Sequence, residues 1–89
     1  MSVHSEFQRI LDELVRFLER TGAPGCAGWA SELVDAATLG RTDVSGGADR
    51  TLTLLEGDAA PTFTSPLEIE EFARIQEHLL SLCHVILGR

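Results

Sequence analysis

The chain contains no Lys, no Tyr and no Asn, and only one Trp and one Met. Every basic side chain is therefore an Arg, and acids outnumber bases 14 to 7, which leaves a net charge of −7. A phosphate backbone needs clustered Lys and Arg, so this balance argues against nucleic acid as a partner. No run reaches the roughly 18 apolar residues of a bilayer-spanning helix, and the first residues lack the basic-then-apolar pattern of a leader. No membrane association is expected, and the cytoplasm is the default location. Two cysteines, Cys26 and Cys83, are too few and too far apart for a disulfide framework, and read as small buried hydrophobes. Neither a Gly-x-Ser-x-Gly nor a His-Glu-x-x-His motif occurs.

What is present is ordinary for a globular protein. At 89 residues the chain forms a single domain, 1–89, because a second core would not fit. A chain of this size buries only about 60% of its unfolded surface, so a partner or a second copy could matter to it. Its charge is uneven: residues 23–64 hold Glu32, Asp35, Asp43, Asp49, Glu56 and Asp58 against Arg41 and Arg50 alone.

Apolar periodicity predicts an all-α fold, a compact bundle of three to four helices at about 5–21, 25–38, 48–56 and 65–87. In the first, Phe7, Ile10, Leu11, Leu14, Phe17 and Leu18 recur on one helical face. Ser5 and Gln8 read as its capping box, and Gly22 as its stop. The second starts near Pro24 and turns Cys26, Trp29, Ala30, Leu33 and Ala37 to one side. Its small residues predict close packing on a neighbour. Residues 39–49 read as a polar, glycine-bearing loop. The next stretch, Thr51 to Leu55, suits either a short helix or a hairpin with residues 61–64, and the helix is preferred. The last helix carries three start signals, Ser65, Pro66 and Glu68. Its face is Ile69, Phe72, Ala73, Gln76, Leu79, Leu80, Cys83, Ile86 and Leu87. Leu82 and Val85 add apolar surface beyond that face, which marks the helix as either central or at an interface.

Each possible site has a plainer reading beside it. Gly22, Gly25 and Gly28 are evenly spaced, yet no strand precedes them and no lysine follows, so they read as a helix-to-helix joint and not a phosphate cradle. His78 and His84 are six residues apart, about 240° around a helix, so they cannot share a metal ion. The adjacent acids Asp12/Glu13 and Glu70/Glu71 diverge on their helices and suit a solvated face. A cysteine paired with a histidine is arithmetically possible, but both cysteines fall on core faces. No enzyme, cofactor or metal is expected. Trp29 reads as a core plug, or as an interface hot spot if exposed.

Two strings, Leu14-Val15-Arg16-Phe17-Leu18-Glu19-Arg20-Thr21-Gly22 and Gly28-Trp29-Ala30-Ser31-Glu32-Leu33, resemble small bacterial helical domains of unknown function. In those an amphipathic helix ending in glycine leads to a "Trp-Ala-x-x-Leu" helix. The resemblance implies an immunity or regulatory partner and carries over no functional residue.

Two functions follow as expectations. One is a non-enzymatic, acidic protein-binding module, such as an immunity or antitoxin-like partner of a cationic protein, with Asp43, Asp49, Glu56 and Asp58 as its contact set. The other is a homodimeric helical regulatory or ligand-sensing protein, with Ile75, Leu82 and Val85 as its self-interface.

Overall fold

The computed structural model describes residues 2–57 and 60–88, which form four helices and no strand. These are α1 (Val3–Thr21), α2 (Cys26–Gly40), α3 (Val44–Glu56) and α4 (Pro66–Leu87). Each helix packs on its sequence neighbours, and α4 closes back on α1, so the four make a ring around one core. The 22 residues of α4 span about 33 Å at 1.5 Å each, which matches the 34 Å long axis of the molecule.

The helix ends differ from the sequence expectation in instructive ways. Ser2 caps α1 by accepting the Ser5 backbone N–H at 3.2 Å, so the helix starts two residues before the expected Ser5/Gln8 box. Gly22 ends it as expected, with φ +62° and its N–H donating to the Leu18 carbonyl. Gly25, at φ +88°, caps α2 and leaves Pro24 outside the helix. Ser65 and Pro66 begin α4 as expected, but the Ser65 side chain makes no capping hydrogen bond.

The expected polar loop at 39–49 shrinks to residues 41–43. Asp43 caps α3 by accepting the Gly46 N–H at 3.0 Å, which pulls Val44 to Asp49 into the helix. Gly40 and Gly47, which look like loop residues in the sequence, are where α2 and α3 cross. A Cβ on Gly47 would stand 2.7 Å from Gly40 Cα and 2.8 Å from the Ala36 carbonyl oxygen. The close packing expected of α2 is therefore real, but it occurs at its C-terminal end. A Cβ on Gly28 would meet nothing within 4 Å.

Residues 51–55 are helical, as preferred. Thr51 is fully buried and donates its hydroxyl to the Gly47 carbonyl at 2.8 Å, so it needs no partner from another element. The segment expected as a hairpin arm instead crosses the end of the bundle. Its Thr62 N–H donates to the Pro24 carbonyl, and Pro61 is buried against Gly25.

The core takes Phe7, Ile10, Leu11, Leu14, Phe17 and Leu18 from α1, all expected. From α4 it takes Phe72, Ile75, Leu79, Leu82 and Cys83, a face rotated from the expected one. Ile75 and Leu82 are only 2% and 8% exposed, because α1 and α3 both flank this helix. They are core residues of the single chain and offer no self-interface. Val85, the third of that set, is 63% exposed.

Trp29 is the core plug, 3% exposed. Its ring lies 5.6 Å from that of Phe72, which also meets Phe63 at 5.0 Å and Phe17 at 6.3 Å. These four rings seal the end of the bundle beneath residues 61–63. Burial this deep rules Trp29 out as a surface hot spot in the folded monomer. Its indole Nε1 has no hydrogen-bond partner among the described residues. Such an orphan donor costs about 1–3 kcal/mol, against which the ring burial acts.

Candidate interaction surfaces

The expected acidic contact set is brought together only in part. Asp49 and Glu56 are exposed on α3 and lie seven residues apart, so they share one face about 10.5 Å apart along the axis. Asp43 is also exposed, but its carboxylate is occupied as the α3 cap. Asp58 lies outside the described residues.

Two acids that sequence reasoning left out of the set complete the face. Glu32 and Asp35, on the outer side of α2, reach across to Arg50 of α3 at 3.8 and 3.9 Å. Both are long contacts between exposed groups, and pairs of that kind contribute only about 0–1 kcal/mol. Their i, i+3 spacing marked a shared helical face in the sequence, but only the α2/α3 crossing sets that face beside Asp49. Between the two helices lies a shallow hollow of about 520 Å³, lined by Glu32, Asp49, Arg50 and Thr53.

The opposite rim, between α1 and α4, is charge-matched. Arg20 meets Glu71 at 2.6 Å, Arg74 meets Glu13 at 3.4 Å, and His78 Nε2 lies 3.5 Å from Glu6. These pairs join residues 51, 61 and 72 positions apart in sequence.

The seam between α1 and α2 holds an open groove of about 740 Å³. Gly22, Gly25 and Gly28 all line it, together with Ala30, Val34 and Val15. The evenly spaced glycines are thus a joint on their inner side and a groove wall on their outer side, a combination their spacing did not reveal.

No group of three or more His, Cys, Asp or Glu that could hold a metal ion occurs among the described residues. Both cysteines are free and buried. Cys26 Sγ sits 3.6 Å from the Thr21 hydroxyl. Burial pushes the Cys83 thiol up to about 11, which keeps it protonated, the reverse of an activated nucleophile. No helix among the described residues is long and apolar enough to cross a membrane. No protein-family model, curated protein or solved structure matches the chain, so the case for a function rests on the surfaces themselves.

Proposed function

We propose that this protein is a non-enzymatic binding module that meets a cationic protein through the acidic face of α2 and α3. The observation that carries the reading is the acidic outer face of α2 and α3, where Glu32 and Asp35 reach Arg50 while Asp49 and Glu56 stand exposed on α3. A cationic partner would exchange the loose Arg50 contacts for its own Lys or Arg and would be steered to the site by the net charge of −7. The resemblance to small bacterial helical domains supports an immunity or antitoxin-like role of this kind, in the cytoplasm. The buried Cys83, held protonated by its burial, offers no activated thiol. The homodimer reading is weaker, because Ile75 and Leu82 are already used in the core.

Co-purification with the tagged protein from its native host tests the proposal. The expected partner is basic, and its affinity falls as salt rises and by about tenfold in an Asp49→Asn/Glu56→Gln double variant. A complex that is insensitive to both salt and that variant overturns it.

A further inference from the structure

We draw no further inference here: the strongest candidate, the open apolar groove along the α1/α2 seam walled by Val15, Ala30 and Val34, carries nothing because nothing in the structure shows what covers it.

Discussion

Replacing Gly47 with Ala should destabilise this protein, although helix propensity alone favours the change by about 1 kcal/mol. Gly47 sits in the first two turns of α3 with ordinary helical backbone angles, so the new residue meets no conformational penalty. The obstacle is space. Its Cβ would lie 2.7 Å from Gly40 Cα, 2.8 Å from the Ala36 carbonyl oxygen and 2.9 Å from Gly40 N. All three are backbone atoms of α2 and cannot swing aside as a side-chain tip would. Relief requires α3 to lift from α2 by roughly half an ångström or more, thinning the contacts of Ala48 and Thr51 behind it. Overpacking of this kind costs about 1–3 kcal/mol, and the backbone clash places it at the upper end. After the propensity gain, a net loss of about 1–2 kcal/mol remains, and each kcal/mol lowers Tm by roughly 4–8 °C in a domain of this size. Gly28→Ala is the matched control, since it makes the same chemical change on a neighbouring helix where a Cβ meets nothing. It should stabilise by up to about 1 kcal/mol. Urea and thermal unfolding followed by far-ultraviolet circular dichroism read both variants. If Gly47→Ala is as stable as the parent, α2 and α3 do not cross in backbone contact and the reasoning is wrong.

Asp43→Ala should cost about 1 kcal/mol by removing the α3 cap, whereas Asp43→Asn retains a capping oxygen and should stay near the parent in urea unfolding. Cys83 should add a pH dependence of one sign. Its folded pKa of about 11 lies above the ordinary 9.0, so its contribution is intact below pH 9 and is lost as pH rises towards 11. With no Lys or Tyr to titrate in the same range, urea midpoints measured from pH 8 to 11 should fall less in Cys83→Ala than in the parent. An equal fall in both would refute the assignment. Finally, Trp29 should emit as a buried indole, resist iodide quenching and shift to the red only on unfolding. Quenching in the native state would return it to the surface.

The first helix was legible almost residue by residue, because Phe7 to Leu18 follow one helical face and a helix packed on two neighbours buries one such stripe. The last helix was legible in extent but not in rotation. Leucine, isoleucine and valine occur on several of its sides, and only its placement against α1 and α3 selects Ile75 and Leu82 for the core over Ile69 and Val85. Gly40 and Gly47 misled for a different reason. Glycine is both a loop former and the residue that lets two backbones touch, and local sequence does not distinguish the two roles. The acidic surface was half legible: Asp49 and Glu56 share a helical period, while Glu32 and Asp35 join them only across a helix crossing.

Composition and periodicity by themselves determined an all-α chain, a strong negative charge, and the residues that stop α1 and start α4. Those properties are local or additive, so neighbours in sequence suffice to set them. Tertiary structure decided which apolar residues of α4 enter the core, that Asp43 serves as a cap, and that three evenly spaced glycines form the wall of a groove. Each of these depends on which surface another helix covers, and that follows from packing all four helices at once.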